Sequence, residues 1–139
     1  MIALDTNVIA RFYVDDPSDA ECLLQRPLAR KIFEQSAALY VPLTVVLELE
    51  WVLRAFYGFS KADFAKVVRH LGGLAHVSLE ASSTVYSALQ AHLLGLDFAD
   101  ALHLTSSAHC DTLVTFDDKK FARRASKLQL LPSVSIPKA

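Results

Sequence analysis

The sequence predicts an α/β fold with a mostly parallel sheet from its alternation of elements, and its composition predicts that the fold is compact. Short apolar runs recur along the chain, each followed by a longer stretch of helical periodicity, the alternation that builds parallel sheets. Hydrophobic residues make up 53% of the 139 and charged residues 21%, a balance that buries one core and leaves little room for disorder. No repeat, low-complexity segment or Gly/Ser-rich linker interrupts the pattern, so residues 1–139 read as a single domain.

Ile2-Ala3-Leu4 reads as a buried first strand that ends, unusually, in a carboxylate, Asp5. A helix follows from about Asn7 to Tyr13, and Asp15-Asp16-Pro17 breaks it. Ser18 suits the N-cap of a helix reaching about Ser36, in which Pro27 predicts a kink or a break. Leu39-Tyr40-Val41 is the second strand, closed by Pro42, and Thr44 is placed to cap a helix that Gly58 ends. Ser60 and Asp63 have capping-box spacing for a helix to about Leu71, with Gly72-Gly73 as its stop. His76 to Leu79 reads as strand three, and a helix from about Ser82 stops at Gly95. Asp97 opens a further helix toward His109. Thr112 to Thr115 is the fourth strand, a short basic helix follows, and Ser133 to Ile136 is a weak last strand.

Parallel sheets bind ligands beyond the carboxyl ends of their strands. Asp5, Glu48, Asp97, Asp100, Asp117 and Asp118 all fall where such an edge belongs. In the helix after strand two, Val45, Leu49, Val52 and Phe56 form the expected core stripe. Glu48 borders that stripe, while Glu50 points away from it toward solvent and pairs with Arg54. In the helix opened by Asp97, the stripe Ala101, Leu104 and Ala108 has Asp100 at its border. Asp97 and Asp100 also suit an ordinary helix start. Asp117 lies nearer its strand end than Asp118, and a turn or a helix cap explains either one.

Gathered carboxylates repel: two charges about 5 Å apart cost roughly 3 kcal/mol at an effective dielectric near 20. A divalent cation relieves that repulsion. An all-oxygen donor set without grouped His or Cys suits Mg²⁺ or Mn²⁺ rather than zinc, and phosphoryl chemistry is its natural use. The net charge of −1 supplies no global attraction for a polyanion, so a nucleic-acid partner would need a local basic patch or a metal. Lys119, Lys120, Arg123, Arg124 and Lys127 crowd one such segment; Lys119, Lys120, Arg123 and the separate Arg11 are candidate contacts to a polyanion backbone or plain solvated charges. His103 follows Asp100 by one turn and reads as an exposed helix residue. Two cysteines, Cys22 and Cys110, make no disulfide framework or zinc site. Asp5 interrupts the first apolar run before a signal peptide could form, and no stretch reads as a membrane span, so a cytoplasmic protein is expected.

Four stretches, "LDTNVIARF", "VPLTVVLELEWVLR", "GLDFADALHL" and "LVTFDDKKFAR", resemble the successive motifs of the PIN domain. The resemblance is closest to the VapC-type toxins of bacterial toxin–antitoxin pairs and spans nearly the whole chain. It implies a three-layer α/β/α fold on a roughly five-stranded sheet and a Mg²⁺- or Mn²⁺-dependent endoribonuclease. By position, the resemblance makes Asp5, Glu48, Asp100 and Asp117 the catalytic and metal-binding acids. Thr6 and Asn7 match the polar pair after the first acid, with Asn7 supporting Asp5 or a metal-bound water. Thr115 matches the hydroxyl residue before the last acid, and Asp97 also fits the pattern. A homodimer, a VapB-like antitoxin that inhibits the site, and promoter DNA bound through the antitoxin complete what the resemblance implies. Pro27 would make the antitoxin groove unusual. Leu47 and Trp51 lie off the predicted core and suit either a neighbouring helix or a partner.

Two other functions fit parts of the pattern. A non-catalytic PIN-like subunit of an antitoxin-dependent DNA-bound complex would not need the complete acid set. A phosphatase using Asp5 as nucleophile would need a second Asp where Asn7 stands.

Overall fold

The computed structural model describes residues 1–139, which form two compact units, Met1–Ser82 and Ser83–Ala139. The first unit holds β1 (Ile2–Ala3), α1 (Thr6–Tyr13), α2 (Ala20–Gln35), β2 (Leu39–Val41), α3 (Leu43–Tyr57), α4 (Lys61–Gly73) and β3 (Val77–Leu79). Its strands pair in the order β1-β2-β3, all parallel, with Ile2 opposite Leu39 and Leu39 opposite Val77. The second unit carries α5 (Ser82–Leu93, opening at the last residue of the first unit), α6 (Phe98–Thr105), β4 (Thr112–Val114), α7 (Arg123–Lys127) and β5 (Ser133–Ser135). A π-helical turn, Asp118–Ala122, precedes α7.

The mixed α/β class with parallel strands is therefore present, and every expected strand forms. The five strands do not hydrogen-bond as one sheet, however: three pair in the first unit, and β4 pairs only with β5. Each strand is two or three residues long, so a ladder between any two holds only a few hydrogen bonds. The first strand also departs from expectation. Ile2 is 53% exposed at the edge of its sheet, and the buried residue of the run is Leu4, just past the paired segment.

Local chemistry sets most helix boundaries. Asp5 is the N-cap of α1, its carboxylate accepting the Thr6 N–H at 2.7 Å. Helix α2 is capped by Asp19, which accepts the Glu21 N–H at 2.9 Å, rather than by Ser18, whose hydroxyl is committed to Asp16 at 2.6 Å. That N–H also holds the Asp19 carboxyl below the usual range, aided by the Cys22 N–H and Arg11. Pro27 lies inside α2 without breaking it. It sits on an exposed face, with Leu23 one turn before it and Leu28 beside it also exposed.

The Ser60–Asp63 capping box forms in full, and Gly58 ends α3 in the left-handed region at φ 67°. Thr44 is not the cap of α3. Pro42 holds that position, and the carboxylate of Glu80, just past β3, accepts the Leu43 N–H at 3.2 Å and the Tyr40 hydroxyl at 3.1 Å. Helix α4 ends at the Gly72-Gly73 pair, two residues past Leu71: both glycines are still helical, and Leu74 closes onto the Leu71 carbonyl. Helix α6 ends at Thr105, four residues short of His109. The Thr105 and Ser107 hydroxyls take the Ala101 and His103 carbonyls, each at 2.9 Å, and turns follow. Ala108 is consequently exposed instead of buried.

The core face of α3 is Val46, Leu49, Glu50 and Leu53, not the expected Val45, Leu49, Val52 and Phe56. This rotation buries Val46, Leu49 and Leu53 almost completely, worth about 1.5–3 kcal/mol each. It also carries Glu50 inside, at 6% exposure, and leaves Phe56 at 68%. Arg54, one turn on, donates to the Glu50 carboxylate at 2.9 and 3.4 Å, so the buried charge is paired. The pairing matches expectation; the solvent-facing Glu50 does not.

Candidate active site

In the first unit, α1 and α3 pack together, and Asp5, Thr6, Asn7, Ala10, Arg11, Glu48, Val52 and Tyr57 line a cavity of about 250 Å³. Asp5 and Asn7 are exposed at its mouth. Thr6 is buried at 4%, and its hydroxyl donates a short hydrogen bond to the Glu48 carboxylate. Asp5 is held by the same residue, accepting the Thr6 N–H. A single buried threonine thus fixes one carboxylate through its backbone and another through its side chain. The predicted group Asp5, Thr6, Asn7 and Glu48 comes together, with Glu48 exposed and Glu50 turned into the core.

In the second unit, Asp97 is the N-cap of α6 and its carboxylate accepts the Asp100 N–H at 3.4 Å. Asp100 is half-buried. Burial pushes its carboxyl above the usual range, and the neighbouring charges of Asp97 and Asp117 push it further, against smaller opposing effects of His103 and Arg124. Asp117 caps the π-helical turn, accepting the Lys120 N–H at 3.0 Å, and its own N–H reaches the Thr115 hydroxyl at 3.1 Å. Thr115 therefore orders the backbone that presents Asp117. Asp118 is engaged elsewhere, in a 2.8 Å ion pair with Arg123.

No three acidic, histidine or cysteine side chains stand close enough to form a ready metal-ligand group. The donors are nonetheless of the kind a hard divalent cation takes, carboxylate and amide oxygens, and a cation would offset the part of the Asp100 shift that Asp97 and Asp117 add to burial.

The PIN domain family model matches residues 2–127, and so runs through both units. The chain belongs to the PIN-domain family. No curated protein matches it. PIN domains are typically nucleases and generally use divalent metal ions.

Within this PIN domain the basic candidates separate sharply. Arg11 is committed inside the first unit: its Nε donates to Gln25 at 2.9 Å and its Nη1 to Asp19 at 3.2 Å and to the Tyr57 hydroxyl at 3.4 Å. With 15% of its side chain exposed, it ties α1 to α2 and to the end of α3 rather than standing free for RNA. Lys119 and Lys120 are exposed and in no ion pair, and Arg123 is exposed beside Asp118. Trp51 and Phe56, both exposed, meet edge to face at 5.2 Å. No helix is long and apolar enough to cross a membrane.

Two residues of the PIN domain escaped the sequence reading. Tyr57 lines the Asp5 cavity from the last turn of α3, and nothing in its local pattern announces this. Glu80 follows strand three as Asp5 follows strand one, so the strand-end rule does point to it; its carboxylate serves the start of α3.

Proposed function

We propose that this PIN domain is a Mg²⁺- or Mn²⁺-dependent endoribonuclease of the VapC toxin type, acting in the cytoplasm and held inactive by a VapB-like antitoxin. The observation that carries the reading is geometric: in a chain that matches the PIN domain over residues 2–127, Asp5 and Glu48 are gathered on the buried Thr6 beside one cavity, with Asn7 at its mouth. Asp5, Glu48, Asp100 and Asp117 are the acids assigned to metal binding and catalysis, with Asp97 supporting Asp100. A bound divalent ion supplies activated water and neutralises charge on the phosphodiester. Thr6 orients Glu48 and Asp5, Asn7 offers an amide at the cavity mouth, and Thr115 holds the backbone at Asp117. A homodimer, and promoter DNA bound only through the antitoxin, belong to the same reading.

Purified protein is expected to cut RNA in Mg²⁺ or Mn²⁺ and to stop in EDTA, with Asp5→Asn and Asp100→Asn each inactive. Full activity in either variant overturns the assignment. Tight operator binding by an antitoxin complex whose freed PIN subunit cuts no RNA supports the non-catalytic reading instead. A DNA-binding protein encoded by the adjacent gene, co-purifying with this chain and suppressing cleavage, supports the antitoxin.

A further inference from the structure

The chain is nearly neutral as a whole, but its charge is unevenly placed. All six basic residues of the second unit, Lys119, Lys120, Arg123, Arg124, Lys127 and Lys138, fall in residues 119–139, and that stretch holds no acid. A cleft of about 690 Å³, in the size range of ligand sites, opens between α7 and β5. Arg123, Lys127 and Lys138 stand on its rim, and Ala122, Val134 and Ile136 form an apolar, partly buried floor. Ser126 and Ser135 add hydroxyls. The acid at the cleft, Asp118, is already neutralised by Arg123, whereas Lys127 and Lys138 take part in no ion pair. The π-helical turn that begins this segment is a rare backbone form that recurs at functional sites.

We propose that this cleft binds the backbone of single-stranded RNA, as a second contact beyond the acids of the nuclease site. The inference rests on the ribonuclease reading for its choice of polyanion. Cations on the rim suit phosphates, the apolar floor suits unstacked bases, and the serines suit ribose hydroxyls. A rigid duplex hides its bases and leaves such a floor unused.

The test is equilibrium binding of a short labelled oligouridylate in EDTA, where no cleavage occurs, measured against salt concentration. Each phosphate contact to a single strand contributes about 0.7 to the slope of log affinity against log salt. Lys127→Gln with Lys138→Gln is expected to flatten that slope by about 1.4 and to weaken binding roughly tenfold at low salt. Lys31→Gln with Lys61→Gln, which changes net charge equally on exposed residues of the first unit, is expected to leave the slope unchanged. Matching circular dichroism and melting temperatures establish that both variants are folded. An unchanged slope in Lys127→Gln/Lys138→Gln, an equal loss in both double variants, or no oligouridylate binding in EDTA overturns the cleft. Tighter binding of duplex DNA than of the single strand overturns the choice of RNA. A flattened slope in Lys127→Gln/Lys138→Gln, together with a wild-type protein that cuts no RNA with either metal, upholds the cleft and overturns the nuclease reading, so the two failures are distinct.

Discussion

The acids held by Thr6 in the first unit and Asp100 in the second stand in opposite environments. In the first, Asp5 and Glu48 receive hydrogen bonds from a single buried residue, Thr6, and are held by donors the fold supplies. In the second, burial above all, and then the neighbouring charges of Asp97 and Asp117, disfavour the charge of Asp100. The first arrangement orients acids, while the second stores repulsion that a cation relieves. Identical residue types at similar places in strand–helix units thus acquire different chemistry from what stands next to them.

The largest effect expected concerns which glutamate of α3 matters. Glu48→Gln should reduce metal-dependent RNA cleavage by roughly 100-fold or more, whereas Glu50→Gln should keep kcat/KM within about twofold. Equal losses in the two variants, with both folded, would remove the distinction between an oriented site acid and a buried structural one. The next effect is on stability. Arg54→Ala leaves Glu50 buried without its ion-pair partner and should cost about 1–2 kcal/mol in denaturant unfolding, less than a fully buried pair because Arg54 is half exposed. No change would mean that water reaches Glu50 unaided.

A smaller effect, of opposite sign, sharpens the contrast between the units. Because the folded Asp100 carboxyl titrates above its usual value near 3.8, the folded state holds that proton more firmly than the unfolded chain does. Stability is therefore lost as pH rises through the interval between the two values. Asp100→Asn, melted in EDTA at neutral pH, should be slightly more stable than wild type, by on the order of a degree or two, since partial exposure screens the repulsion. Below about pH 4 the gain should vanish. A lower melting temperature at neutral pH would show that Asp100 is not under repulsion. The smallest effect belongs to Asp118→Asn. Its surface pair with Arg123 contributes about 0–1 kcal/mol, and thermal melting should barely register the loss.

Much of the local structure was legible in the residues. The Ser60–Asp63 box, the Gly58 stop and the run of short apolar strands each depend on neighbours a few positions away, so reading them needs no tertiary knowledge. Candidate acids were legible for the same reason: strand ends and helix starts are local features, and Asp5, Asp97 and Asp117 all prove to be caps. Cap competition was harder to read. Ser18 and Asp19 are adjacent and both competent, and the choice fell to Asp19 because Asp16 took the Ser18 hydroxyl.

The order of strands and helices, most of their boundaries, and the family whose motifs they carry follow from the linear order of residues. The rotation of α3, the commitment of Arg11 and the division of the strands into ladders of three and two emerge only when the chain packs. One cause underlies all three. Apolar residues surround most of α3, so periodicity alone permits several core faces, and only packing, which buries Val46 and Leu53, selects one. A basic side chain or a two-residue strand likewise has many possible partners along a chain. Which of them it takes depends on what folding brings within about 3 Å.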